Sequence, residues 1–85
     1  MIEAHKIAVA NHDLPVEGRL VLADDVLVAI LAHLEAEYYE QKGQWNLEAG
    51  FGPLSGEERV FASVEQALDW VRSALEKDAF DRDTR

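Results

Sequence analysis

The chain of 85 residues contains no cysteine. Disulfides, thiolate metal sites and thiol nucleophiles are therefore excluded. No apolar run approaches the roughly 18 residues that a membrane-spanning helix needs. The first ten residues carry Glu3 where a secretion signal would be basic. From these absences we expect a cytoplasmic protein without a membrane anchor.

Basic residues are scarce and scattered. Lysine and arginine number 8 against 17 aspartates and glutamates, for a formal net charge of −9. Because binding to a phosphate backbone or an anionic membrane depends on clustered positive charge, we expect neither. Net negative charge is typical of a small soluble domain, and it also leaves open an acidic inhibitor or nucleic-acid mimic that binds a basic partner.

The length predicts a single domain, because two cores would each fall below the size that folds unaided. We place this domain at residues 1–80. The last five residues, 81–85, are charged and without periodicity, and we expect this tail to fray.

The N-terminal quarter predicts two short strands. Residues 5–10 are rich in alanine and β-branched side chains, and a turn-forming segment, NHDLP, follows them. Residues 19–22 have the same apolar character, and we expect them to pair antiparallel with the first strand.

The longest apolar run predicts a central helix over residues 24–43. Asp24 or Asp25 would cap its N-terminus, and Gly43 would take the left-handed position after its C-terminus. The spacing of one apolar set is typical of a helical face; its members are Leu27, Ile30, Leu31, Leu34 and Tyr38. A second apolar stripe lies beside this face; its members are Val28, Ala32 and Tyr39. Together the two stripes form a wider apolar surface than a helix packed on one face of a sheet requires. This surplus favours a homodimer.

The C-terminal half predicts a hairpin and a second helix. Residues 45–51 alternate between apolar and polar side chains, and residues 59–62 would form the returning strand. Ser63 and Gln66 match a capping box at the start of a helix. The predicted fold is therefore a two-layer α+β domain, with a small antiparallel sheet of three or four strands packed on two helices in the order β-β-α-β-β-α.

No residue pattern predicts catalysis or a cofactor. His33 and Glu37, four residues apart, would present two ligands on one helix face, but a zinc site needs three or four. The remaining ligands have no local spacing, so we expect no metal. The glutamates fall at positions predicted to be exposed, where a carboxylate does not gain the raised pKa of a general acid.

The aromatic residues are the main candidates for a binding site. Trp and Tyr anchor many interfaces and line many pockets, and here they concentrate around the hairpin; the candidates are Tyr38, Tyr39, Trp45, Phe51 and Trp70. The sequence predicts a non-enzymatic protein–protein interaction module that associates with itself or with another protein partner. Two alternatives stay open at this point: a domain that binds a small apolar ligand among these aromatics, and the acidic mimic.

Overall fold

A computed structural model describes residues 1–10, 14–35, 40 and 42–83 of the chain, with side chains as far as residue 78. Its elements are five strands, a single 3-10 turn and one α-helix within these residues. The strands are β1 (Ile2–Val9), β2 (Val16–Ala23), β3 (Val26–His33), β4 (Trp45–Gly50) and β5 (Val60–Phe61). The 3-10 turn is Gly52–Leu54, and the helix α1 is Val64–Asp83.

The strands form one antiparallel sheet in the order β1-β2-β3-β4-β5, so that each strand pairs with the next one along the chain. The predicted pairing of the first two strands is confirmed, with Ile2 opposite Ala23 and Val9 opposite Val16. Two register shifts interrupt the ladders, one beside Val28 between β2 and β3 and one beside Glu48 between β3 and β4. Such bulges increase the local twist of a sheet.

The predicted fold class is wrong at its centre. Residues 26–33 form strand β3 rather than a helix, so the fold has one helix and five strands instead of two helices and three or four strands. The physical reason is that a strand with two apolar faces is apolar throughout, and a short apolar run cannot be separated from a helix by periodicity alone. Val26, Val28 and Ile30 are β-branched and favour the extended backbone.

The two aspartates before β3 form a hairpin turn and cap no helix. Asp24 and Asp25 both have positive φ angles, 50° and 69°, and they are the two residues between β2 and β3. Positive φ at both central positions is the property of the type I′ turn, which matches the twist of a β-hairpin. Aspartate tolerates this conformation better than most residues.

The hairpin and the cap predicted in the C-terminal half are confirmed. β4 pairs with β5, and Ser63 Oγ accepts a hydrogen bond of 3.1 Å from the backbone N–H of Gln66. The side chain of Gln66 reaches back to the N–H of Ala62, one residue before the expected one. The helix continues to Asp83.

The hydrophobic core lies between the sheet and α1. Ala67 and Val71 of the helix are fully buried against Val21 and Leu31 of the sheet. The core also includes Leu54 of the 3-10 turn, which is 1% exposed. Both elements outside the sheet therefore pack on the same side of it. None of the helical segments in the described part of the chain has the length and apolarity that a membrane-spanning helix needs.

Candidate functional site

The sheet carries apolar side chains on both of its faces. Successive side chains of a strand point to opposite faces, and Val21 and Leu31 point toward α1. Their neighbours along the two strands, Leu20, Ile30 and Ala32, therefore point to the other side.

We call this second surface the outer face and define it by eight apolar residues. The register of the ladders places Leu20 opposite Ile30 and Leu22 opposite Leu27, so these side chains are neighbours across strands β2 and β3. The complete set is Ile7, Val9, Val16, Leu20, Leu22, Leu27, Ile30 and Ala32.

The outer face has no second layer among the described residues. The 3-10 turn and α1 both pack on the core side, and none of the partly buried side chains that pack against the core belongs to the outer face. Seven of its eight side chains are half-buried, a degree of burial that neighbours within the sheet supply. Ala32 is the exception at 2% exposure.

The charged side chains on the outer face belong to strand β1. Glu3 and His5 precede Ile7 at alternate positions of β1, and the Glu3 carboxylate lies 3.4 Å from Nε2 of His5. Both side chains are exposed, at 47% and 55%. His5 lies opposite Leu20 and Glu3 opposite Leu22, whereas Ile30 has the apolar neighbours Leu20 and Ala49 in the adjacent strands.

Gly18 allows the side chains of β1 to close over β2. A methyl group added at this glycine would lie 2.5 Å from Cγ2 of Val9 and 2.7 Å from the carbonyl oxygen of Leu31. Ile7, directly opposite Gly18 in the ladder, would be 3.5 Å away. Only glycine leaves space for this approach, so the outer face is continuous from β1 to β3.

A polar cluster occupies the corner of the core-side face that α1 does not cover. We call it the Arg19 cluster. The guanidinium of Arg19 lies 4.9 Å from the centre of the Trp45 ring, and its Nη2 is 2.7 Å from Oε2 of Glu17. The ring of His33 lies 4.6 Å from the Trp45 ring, and its Nδ1 is 3.2 Å from Oε2 of Glu35. The same carboxylate oxygen accepts a 3.1 Å hydrogen bond from the backbone N–H of Glu17.

The electrostatics of the Arg19 cluster favour the ionised form of Glu17. The hydrogen bond from Arg19 holds the pKa of the Glu17 carboxyl below its ordinary value, against an opposing contribution from desolvation. The positive charges of Lys6 and Arg19 act in the same direction as the hydrogen bond, and so does His33. Each polar group of this cluster is thus engaged by another member of it.

Of the predicted aromatic candidates, the structure brings Trp45 and Trp70 to the same core, on either side of Phe61, and leaves Phe51 apart from them. Trp45 is 8% exposed and packs in the core, where it supports the Arg19 cluster. Trp70 of α1 contacts Phe61, with 5.6 Å between the ring centres, and the guanidinium of Arg59 lies 5.0 Å from its ring. Phe51 is 41% exposed beside the 3-10 turn. Tyr38 and Tyr39 lie outside the described residues.

Two of the predicted dimer-interface residues, Val28 and Ala32, lie at different places in the sheet. Val28 is the extra residue of the first bulge and belongs to the core, with 6% exposure. Ala32 lies on the outer face, opposite Gly18. Tyr39 lies outside the described residues. The sequence did not reveal the outer face as a whole, because Leu27 and Ile30 match the buried stripe of a predicted helix.

The histidines do not assemble into a metal site in the described ranges, which contain no group of three or more His, Asp or Glu side chains with metal-binding geometry. His33 pairs with Glu35. Glu37, its predicted partner, and His12 are outside the described residues.

Comparisons with known proteins return no match: no family model, no curated protein sequence and no solved structure is similar to this chain.

Proposed function

We propose that this protein is a non-enzymatic interaction module that forms a homodimer through its outer face. The single observation that carries the proposal is a sheet that is apolar on both faces while its described helix covers only one. Sheets with two apolar faces are typically covered on both. Of the residues that the sequence analysis assigned to self-association, Val28, Ala32 and Tyr39, the outer face contains Ala32, which contributes from a strand.

A second copy of the chain suits the outer face in charge. Each chain has a net charge of −9, yet Glu3, the carboxylate that β1 places on the outer face, has His5 as its neighbour. Two copies would therefore stack without pressing carboxylates together. Repulsion between the remaining charges is screened over about 8–10 Å at physiological ionic strength.

The size of the outer face corresponds to a weak, reversible dimer. Its three strands of eight residues span roughly 14 Å by 27 Å at standard strand spacings, or about 390 Å². Two copies packed face to face would bury about 800 Å² in total, which falls in the range of transient interfaces. Sheets packed in this way lie about 10 Å apart with their strands about 30° from parallel.

Binding rather than catalysis is supported by the Arg19 cluster. Arg19 is paired with Glu17 and stacked on Trp45, and His33 is paired with Glu35. Because these groups already pair with one another, they stabilise the fold and are not free to bind or activate a substrate. They join the strands β2, β3 and β4 at the corner that α1 leaves open.

Sedimentation velocity at tens of micromolar tests the proposal with two variants of equal charge. Leu20→Glu places a carboxylate at the middle of the outer face, whereas Ala8→Glu places it at an exposed position on the opposite face. We expect the wild type and Ala8→Glu to sediment at twice the 9.5 kDa mass of the chain and Leu20→Glu to sediment as a monomer. Circular dichroism verifies that all three are folded. A monomeric wild type, or a Leu20→Glu variant that dimerises as tightly as Ala8→Glu, would overturn the proposal.

A further inference from the structure

Strand β5 pairs with only part of β4. The ladder joins Trp45 to Phe61 and Asn46 to Val60, and its last bond runs from the Leu47 N–H to the carbonyl oxygen of Arg59, at 2.9 Å. β4 continues to Gly50, while the chain on the β5 side turns away toward Gly56. On the side of β5, strand β4 is therefore paired at its N-terminal end and unpaired at its C-terminal end.

The two diverging segments enclose a groove of about 780 Å³, which we call the edge groove. Residues 46–50 form one wall and residues 56–60 the other. Behind the first wall, Leu54 is 1% exposed and packs so tightly on Gly50 that an added methyl group would lie against its carbonyl group. The groove is therefore built on an element that the core holds in place.

The charge along the edge groove is negative. Three carboxylates line it, those of Glu48, Glu57 and Glu58, and Arg59 is the single base on its walls. The count is three negative charges against one positive, or −2. The guanidinium of Arg59 is directed to the ring of Trp70, 5.0 Å away.

We propose that the edge groove binds an extended, positively charged segment of a partner protein, which adds to the sheet as a strand alongside β4. Strand addition to an open edge obtains affinity from main-chain hydrogen bonds and specificity from the side chains beside it. β5 begins only at Val60, so the edge of β4 beyond Leu47 is open, and the carboxylates select lysine and arginine. Asn46 and Leu47 already pair with Val60 and Arg59. The open edge is therefore residues 48–50 of β4, which can pair with about three residues of an extended chain, or roughly 10 Å.

This site is separate from the proposed dimer interface, because it lies at the β4–β5 edge, whereas the outer face is formed by β1, β2 and β3. A basic segment bound here would leave the stacking of two copies intact. The acidic residues 57 and 58 come just before β5, and they would lie beside the bound segment where it pairs with β4 in place of β5.

Fluorescence anisotropy with a labelled eight-residue peptide of alternating lysine and valine tests the charge requirement. We expect the double variant Glu57→Lys/Glu58→Lys to bind the peptide at least tenfold more weakly than the wild type. The control, Asp69→Lys/Glu76→Lys, makes the same change in net charge on exposed positions of α1 and should lose less than threefold. Equal weakening by both double variants would show an effect of net charge alone and would overturn the proposal.

Main-chain methylation of the same peptide tests the strand geometry. Two versions carry N-methyl groups on the lysines or on the valines, so that one of them has no N–H groups on the side facing β4. We expect one version to lose at least tenfold in affinity and the other to bind within threefold of the parent peptide. If both methylated peptides bind as well as the parent, the groove holds charge without strand pairing and the proposal is wrong. Sedimentation of the peptide-bound protein separates this result from dimerisation, because the dimer is expected whether or not the peptide binds.

Discussion

Val9 lies directly over Gly18, so closely that a single added methyl group on the glycine would come within 2.5 Å of it. The contact joins β1 to β2 on the outer face and depends on the missing side chain. The same methyl group would also lie only 2.7 Å from the backbone carbonyl oxygen of Leu31. Position 18 requires glycine because a side chain does not fit there, and not because its backbone is left-handed.

Gly18→Ala is therefore expected to destabilise the fold. Overpacking of this kind costs about 1–3 kcal/mol. Chemical denaturation measures it, with Ala8→Ser at an exposed position of β1 as a control that should change the free energy of unfolding by less than about 0.5 kcal/mol. The double variant Gly18→Ala/Val9→Ala should recover part of the loss, because it removes the clashing methyl of Val9 but leaves the carbonyl of Leu31. No loss in Gly18→Ala would contradict the packing described for the outer face.

A substitution at Asp25 should make the turn formed by Asp24 and Asp25 more stable. Asp25 has a φ of 69°, a conformation in which glycine carries no steric penalty. Asp25→Gly should raise the free energy of unfolding by about 0.5–1 kcal/mol, and Asp25→Ala should lower it by a similar amount. Thermal unfolding of the two variants measures the difference. An Asp25→Ala variant as stable as Asp25→Gly would show that the left-handed conformation at this position is not formed in solution.

The cap at the start of α1 contributes to stability through one hydrogen bond. Ser63→Ala removes the acceptor for the Gln66 N–H and should cost about 1 kcal/mol. Ser73→Ala, at an exposed position within the helix, is the matched control and should be neutral or slightly stabilising, because alanine has the higher helix propensity. Urea unfolding of both variants measures the contrast. Equal stability of the two variants would show that the Ser63 cap is not formed in solution.

The Arg19 cluster makes stability depend on pH in the acid range. The pKa of Glu17 is lower in the folded protein than its ordinary value, chiefly because Arg19 donates a hydrogen bond to it. The stabilisation is therefore present above the ordinary carboxyl pKa and is lost as the pH falls through the lowered one. Carbon-detected NMR titration of Glu17 measures the midpoint directly.

Arg19→Gln should raise the pKa of Glu17 and flatten the acid dependence of stability, since the hydrogen bond and one charge are removed together. Arg72→Gln, whose guanidinium pairs with Asp69 on the helix, removes the same charge elsewhere and should leave the titration of Glu17 in place. An unchanged Glu17 midpoint in Arg19→Gln would show that the cluster does not persist in solution.

Much of the sheet was predictable from the sequence, and its middle was not. The alternation in residues 45–51 and the Ser63–Gln66 pair have strong local signals, and both the strand and the cap are present. Residues 26–33 satisfy two patterns at once, because a strand with two apolar faces leaves no polar residue to show the period of two. The evidence in favour of the strand was the β-branched Val26, Val28 and Ile30 after a pair of turn-forming aspartates.

The outer face was hidden by the same ambiguity. Read as a helix, Leu27, Ile30 and Leu31 fall on one side; in the strand, Leu31 faces α1 while Leu27 and Ile30 face away from it. The surplus of apolar side chains was visible in the sequence, but of the residues it singled out Val28 lies in the core and Ala32 is 2% exposed. Its location depends on the pairing of β2 with β3, which no local pattern determines.

The order of the strands has a consequence for the way the chain folds. Every strand pairs with the one before it, so the sheet can grow by successive hairpins, each closing a short loop soon after its residues are synthesised. Folds with such local contacts have small loop-closure costs and form quickly. The helix is the last element of the chain, so all five strands have left the ribosome before the element that covers the core side of the sheet.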